Sequence, residues 1–393
     1  MTVRTAAQIN PMFVVGTRPE AIKMAPVLLE ARRHGAMRPV LVSTGQHREL
    51  LHQALNAFGL KPDVDMKIMA PHQTLRLIQE KTLRGFDKLL SLEKPDIVVV
   101  QGDTTSAFAA ALAAFYHKIP AAHIEAGLRT YDRLSPYPEE MNRSLIADLA
   151  CLHFAPTQNA ANNLLSEGIL RKYITVTGNT VIDALHYALK QPFSLDNIWD
   201  AIPSDNKLVL VTAHRRESFG KPLADICQAV LYLVDHFRGR VTVVFPLHKN
   251  PLARKTAVRA LEGKNNILLL EPVDYVPFVH LMKRSYLILT DSGGIQEEAS
   301  FLGKPVLVLR DKTERQEAVL ANSSKLVGTD PANIFYQAHM LLTHPEDYEV
   351  MSQERALFGD GHASERIINV LLKHFDLSHG RIAEFDDGAQ EKK

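Results

Sequence analysis

Cysteine is almost missing from this chain: Cys151 and Cys227 are the only two in 393 residues, far apart and outside any C-x-x-C spacing. That excludes a disulfide framework and gives no sign of a zinc site. An excess of one charge is missing too, with 45 Lys and Arg against 44 Asp and Glu. A balanced chain carries no electrostatic footprint for nucleic acid. No apolar run approaches the ~20 residues that a membrane helix needs. The opening stretch MTVRTAAQINPMFVVG lacks an apolar core followed by a small-residue cleavage site, so it does not read as a secretory signal. These absences predict a soluble protein of a reducing compartment, the cytoplasm, with neither nucleic acid nor membrane as partner. The closing EFDDGAQEKK is polar and reads as a frayed tail.

Two catalytic signatures are also lacking. The first turn, VVGTRPEAIKMAP, has one glycine where a dinucleotide fold carries G-x-G-x-x-G, which counts against a dehydrogenase. There is no H-E-x-x-H and no Cys/His cluster, so neither a metal nor another cofactor is expected.

What is present is a repeated alternation of short apolar runs and helical segments. PMFVVG (11–16), RPVLVST (38–44), DIVVVQ (96–101) and AAHIEA (121–126) read as buried strands, continued by HFAPT (153–157) and YITVTGN (173–179). EAIKMAPVLLEARRHG and TSAFAAALAAFYH read as helices between them. That order predicts a parallel sheet covered on both faces. KQPFSLDNIWDAIPSDNK (190–207) has two prolines and no helical stripe, and reads as an interdomain connection. The pattern then restarts with LVLVTAH (208–214), RVTVVFPLH (240–248), NILLLEP (266–272), YLILTD (286–291) and PVLVLR (305–310). The predicted fold is α/β, with two Rossmann-like domains facing across a cleft. The first is residues 1–188, joined by the C-terminal helix 363–375, and the second is residues 189–358.

Several strand ends carry chemistry. TDSGGIQEEASFLGKPVLVLR (290–310) reads as strand, glycine turn, helix, strand. Glycines at a helix N-terminus let an anion approach unpaired N–H groups at the positive end of the helix dipole. Arg18 and Lys23 flank the start of the first helix, where they face an anion or stand as ordinary surface charges. Asp103 and Glu125 follow two buried strands, and Glu139 and Glu140 follow Pro138 at a helix start. Carboxylates converging on one sheet rim suit general acid–base work, because crowding pushes their pKa values apart. The plainer alternatives are that Asp103 caps the next helix and that Glu139 pairs with Arg143. His214 and His248 each follow a strand, as loop histidines often do, and Arg315 lies beyond the last βα unit.

Taken together, GTRPEAIKMAP, STGQH, QGD, HIEAGLRT, PEE-x-NR, HRRE, DSGG-x-QEEA and TER-x-EA resemble the non-hydrolysing UDP-N-acetylglucosamine 2-epimerases, from about residue 12 to GDGHASERI. The resemblance implies a glycosyltransferase-B fold, a homodimer, and UDP-N-acetylglucosamine and UDP as ligands. It implies epimerisation at C2 by loss of UDP, formation of 2-acetamidoglucal and re-addition. By the same resemblance Asp103, Glu125, Glu139 and His214 are catalytic. Arg18, Ser292, Gly293 and Gly294 match the diphosphate site, Glu298 the carboxylate on the ribose hydroxyls, and Phe278 the residue beside uracil, with Lys23 and Arg315 nearby. Gln46, His47 and Gln73 match positions through which some bacterial members bind a second, activating UDP-N-acetylglucosamine, with His72 where a longer base is expected. Tyr131, Asp132 and Tyr137 depart from the pattern, standing where relatives carry a small residue and Trp. A hydrolysing 2-epimerase, a 2-epimerase of a UDP-diacetamido sugar, a glycosyltransferase and a nucleotide-sugar sensor are the competing readings.

Overall fold

A computed structural model of the chain describes residues 8–45, 48–68, 74–213, 219–248, 250–380 and 383–386. Gln46, His47, Gln73 and His214, and with them the proposed activating site and one catalytic candidate, lie outside the described residues. The chain divides into two compact units, residues 1–187 with 358–393, and residues 188–357.

In the first unit the described strands are β1 (Pro11–Val15), β2 (Val40–Ser43), β3 (Val64–Asp65), β4 (Ile97–Gln101), β5 (Ala121–Ile124), β6 (Leu152–Ala155) and β7 (Ile174–Val176). They form one sheet in the order β3-β2-β1-β4-β5-β6-β7, with parallel pairing throughout. Strands buried on both faces need continuous apolar runs. Accordingly β1, β4 and β5 are buried at every position. The helix Thr105–Tyr116 is alanine-rich and buries Ala107, Ala110, Ala111 and Ala114 against Val98 and Val100. Small side chains let that helix lie close to the sheet.

In the second unit the strands are β8 (Lys207–Thr212), β9 (Val241–Pro246), β10 (Ile267–Leu270), β11 (Leu287–Thr290), β12 (Val306–Val308) and β13 (Ser324–Leu326). Their order is β10-β9-β8-β11-β12-β13, again all parallel. The core joins Val209, Val211 and Val243 to Ile226, Val230 and Leu233 of the helix Lys221–His236.

The apolar runs read as strands are strands. Two further ones, β3 and β13, were not visible as such. They are two and three residues long, lie at sheet edges, and sit in the polar stretches KPDVDMK and NSSKLVG. The start of the tail also departs from expectation. Phe385 is buried against Val176 and its N–H donates to the Val176 carbonyl (2.8 Å), while Glu384 accepts from Arg171 (2.5 Å). Burying a phenylalanine contributes about 1.5–3 kcal/mol, which outweighs the polarity of its neighbours.

Each sheet reverses its strand order once, between β1 and β4 in the first unit and between β8 and β11 in the second. Loops leaving such neighbouring strands diverge, and ligands bind in the crevice they open.

Candidate active site

In the first unit the turns after β1 and β4 are stitched together by Glu20. Its carboxylate accepts from the backbone N–H groups of Gly16 (3.0 Å) and Thr17 (2.7 Å) and from the Thr104 hydroxyl (2.7 Å). Burial raises the Glu20 pKa above the usual carboxylate value, and these hydrogen bonds oppose the rise. Arg18, half-buried, begins the helix Arg18–Arg33 beside this knot. Glu20 was missed as a site residue. Its signal was the T-R-P-E spacing of a capping box at residues 17–20.

Asp103 does not cap the helix that follows it. Thr104 does, accepting from Ala107 N–H (3.0 Å). The Asp103 carboxylate instead meets Arg143 Nη2 at 2.5 Å, and its backbone carbonyl accepts from the Asn142 amide (2.9 Å). Arg143 also lies 3.5 Å from Glu140, whose other oxygen accepts from the backbone of Thr130 (3.0 Å) and Tyr131 (2.8 Å). Glu140 therefore holds the loop after β5. Its neighbour Glu139 is half-buried at the first position of the helix Glu139–Leu149.

Glu125 follows β5 with φ +65°. A left-handed backbone at a residue with a side chain costs about 1–3 kcal/mol and persists only where its surroundings impose it. Here they do: Oε1 accepts from Lys23 Nζ (2.5 Å) and Asn179 Nδ2 (3.0 Å), and Oε2 from Gln101 Nε2 (2.5 Å). Lys23 is thus no ordinary helix lysine, since its ammonium is buried on this carboxylate. Gln101 is legible in the sequence only as the first residue of the QGD motif, and Asn179 gives no signal beyond lying in a loop after a strand. Two residues before Glu125, His123 is fully buried and bonds the Gly102 carbonyl through Nε2 (2.8 Å). Burial pushes its pKa down to about 3, so the ring is neutral and Nε2 is the donor. In this way β5 positions the Gly102–Asp103 turn.

In the second unit the turn after β11 opens the helix Gly293–Phe301, with Ser292 at its N-cap. The two glycines are there for different reasons. A Cβ on Gly293 would meet Arg315 Cζ at 3.0 Å and Glu314 Oε1 at 3.1 Å, whereas a Cβ on Gly294 would meet nothing within 4 Å. The first glycine is closely packed by the Arg315 and Glu314 side chains, and the second leaves open space beside the helix start. Arg315 is engaged from within: Nε donates to Glu297 (2.6 Å) and Nη1 to Glu314 (2.9 Å). Arg315 therefore props the turn that Gly293 occupies. Glu298 is buried and accepts from the Tyr275 hydroxyl (2.7 Å). Phe278 lies three residues beyond Tyr275 on the helix Tyr275–Arg284, half-buried. Residues three apart share a helix face, so Phe278 and the Glu298 contact lie on one side. Tyr275 carried no sequence signal. His248 behaves as a loop histidine, accepting from Asn250 N–H (3.0 Å).

Two Rossmann-like units, each with its candidate residues at or beside the strand-order reversal, are the build of a glycosyltransferase-B-like protein. A model of the UDP-N-acetylglucosamine 2-epimerase family matches residues 29–372. The UDP-N-acetylglucosamine 2-epimerase of Bacillus subtilis is 48% identical over 368 residues, covering 94% of this chain and 96% of its own. The UDP-GlcNAc 2-epimerase of Neisseria meningitidis, solved bound to UDP-GlcNAc, superposes with a TM-score of 0.88 at 48% identity, covering 93% of this chain and 100% of the other. S. aureus MnaA, solved with UDP, gives a TM-score of 0.91 at 45% identity, covering 96% and 100%. The chain belongs to the UDP-N-acetylglucosamine 2-epimerase family.

Proposed function

We propose that this protein interconverts UDP-N-acetylglucosamine and UDP-N-acetylmannosamine without releasing free sugar. The observation that carries the reading is the carboxylate pair Asp103 and Glu125, which follow neighbouring strands and are each held by a buried cation, Arg143 and Lys23. The C2 hydrogen of the sugar is not beside a carbonyl, so enolisation cannot remove it. Loss of UDP from C1 with a proton from C2 gives 2-acetamidoglucal, and protonation on the other face with return of UDP gives the epimer. Asp103, Glu125 and Glu139 are the acid–base candidates for those two faces. His214 and Arg18 are assigned to the departing diphosphate, whose charge needs prearranged donors. Incubation with UDP-N-acetylglucosamine alone, followed by NMR, tests the reading. UDP-N-acetylmannosamine is the expected product, and free N-acetylmannosamine would instead mark a hydrolysing enzyme.

In the second unit, Ser292, Gly293 and Gly294 are assigned to the diphosphate, Glu298 to the ribose hydroxyls and Phe278 to the uracil side. Arg315 acts from behind the glycine turn. The open space at Gly294 supports this reading and makes a sharp prediction. Gly294→Ala should keep or raise the melting temperature, because alanine is the better helix former. The same methyl should weaken UDP binding roughly 5- to 150-fold, the equivalent of ~1–3 kcal/mol for overpacking. Calorimetry showing unchanged UDP affinity would remove the diphosphate from this helix start.

A homodimer is the proposed assembly. Leu92, Phe115 and Tyr116 are 68%, 59% and 67% exposed at the C-terminal ends of two helices joined by the His117–Asp87 contact (2.9 Å). Such a trio is costly to leave in water and suits a second copy. Light scattering should give twice the 43.9 kDa chain mass, and Phe115→Glu should halve it. A wild-type monomer would end this proposal. A cytoplasmic location is proposed with it. Among the described residues no helix is long and apolar enough to cross a membrane, and both cysteines are free thiols.

A further inference from the structure

We propose that Asn179 is a positioning residue for proton transfer at C2, orienting the Glu125 carboxylate from the turn against which the chain re-enters its first unit. The proposal rests on the epimerase reading above. Lys23 and Gln101 come from the helix after β1 and from β4, both on one side of β5 in the sheet. Asn179 comes from the opposite side of β5, the turn between β7 and the helix Thr180–Leu189.

The amide orientation of Asn179 is set locally. Its Oδ1 accepts from Val181 N–H (3.2 Å), which leaves Nδ2 as the atom directed at Glu125 Oε1 (3.0 Å). Its backbone is clamped as well. The chain leaves this unit after Tyr187 and returns at Phe358, whose carbonyl accepts from Asn179 N–H at 2.6 Å. A Cβ on Gly178 would come within 3.1 Å of Gly359 Cα, and one on Gly359 within 3.2 Å of the Asn179 carbonyl. Two backbones approach this closely only because both residues are glycine. The position of Asn179, and through it of Glu125 Oε1, is therefore set by the returning segment.

Two donors on one oxygen do different things. The Lys23 ammonium supplies charge with little directional demand, whereas a planar amide anchored at both ends defines where the lone pair lies. A carboxylate that accepts one hydrogen bond fewer is also less favoured in its charged form. Loss of Asn179 should thus both misplace Glu125 and raise its pKa. Among the described residues, Lys23, from the helix Arg18–Arg33, and His123 on β5, which is neutral, are titratable groups that face Glu125.

The test compares wild type, Asn179→Ala and Asn179→Asp for turnover of UDP-N-acetylglucosamine, UDP affinity and the pH dependence of kcat/KM. Asn179→Asp keeps the acceptor for Val181 and replaces only the donor, so it preserves the turn if the alanine variant does not fold. Both variants are expected to hold UDP affinity and KM within about twofold while kcat falls roughly 10- to 100-fold, the scale of a misplaced reacting group. One limb of the pH profile should move to higher pH, further in Asn179→Asp because a second negative charge then faces Glu125. Wild-type kcat in Asn179→Asp, a lower kcat with both limbs in place, or loss of UDP binding in that variant would overturn the positioning role. A wild type that does not epimerise the sugar would overturn the functional reading itself and this proposal with it. Wild-type turnover with unaffected variants would remove the positioning role alone.

Discussion

Asp103→Asn should lower turnover of UDP-N-acetylglucosamine by about 10²–10⁴-fold, the usual contribution of a general acid–base group, with UDP affinity unchanged. The sequence left open that Asp103 merely caps a helix. The structure gives that role to Thr104 and turns the Asp103 carboxylate toward Arg143 instead. Asparagine keeps the shape and one oxygen to accept from Arg143, and Glu140 remains 3.5 Å from that guanidinium as a counter-charge. Removing one partner of a buried ion pair is costly when the other is left uncompensated. Here it is not, so the variant should fold and its defect should be chemical. Steady-state kinetics beside UDP calorimetry checks this. Turnover close to wild type would return Asp103 to a structural ion pair.

Turnover in D₂O should place deuterium at C2 of essentially every product molecule. By the proposed elimination route, the proton removed from C2 would exchange with solvent through a carboxylate before the other face is protonated. Breaking the C1–O bond in the same cycle frees the diphosphate, so isotope placed in the bridging oxygen should scramble among the β-phosphate oxygens. An oxidation at a neighbouring carbon would need a hydride acceptor and would leave the C1–O bond intact. NMR of the product distinguishes the two. Product that retains its C2 hydrogen and an unscrambled bridge would refute elimination even where the epimer itself is formed.

Much of this was legible along the chain. Continuous apolar runs such as IVVVQ and LILT mark strands buried on both faces, because water must be excluded from each side of a parallel sheet. The glycine turn before QEEA marks a helix start, and Ser292 at its N-cap makes no side-chain cap hydrogen bond. Other residues were hidden for a plain reason. Tyr275 and Asn179 act through partners 23 and 54 positions away, and no local spacing carries a contact made at that distance. Arg315 was legible as a charge near the site, but not as one already bound by Glu297 and Glu314.

The sequence by itself determined which apolar runs are strands, which turns carry carboxylates or glycines, and which family's motifs they resemble. Those properties are local, set by side-chain polarity and backbone freedom within a few residues. Only the tertiary structure decided that β1 lies beside β4 and β8 beside β11. Those choices bring the turn after Val15 against Thr104 through Glu20, and put the turn after Thr290 beside Thr212. They also decided that Glu125 has a cation, two amides and a left-handed backbone around it. Strand order is settled by how whole faces of helices and sheet bury one another, an energy spread over the core and written in no single motif.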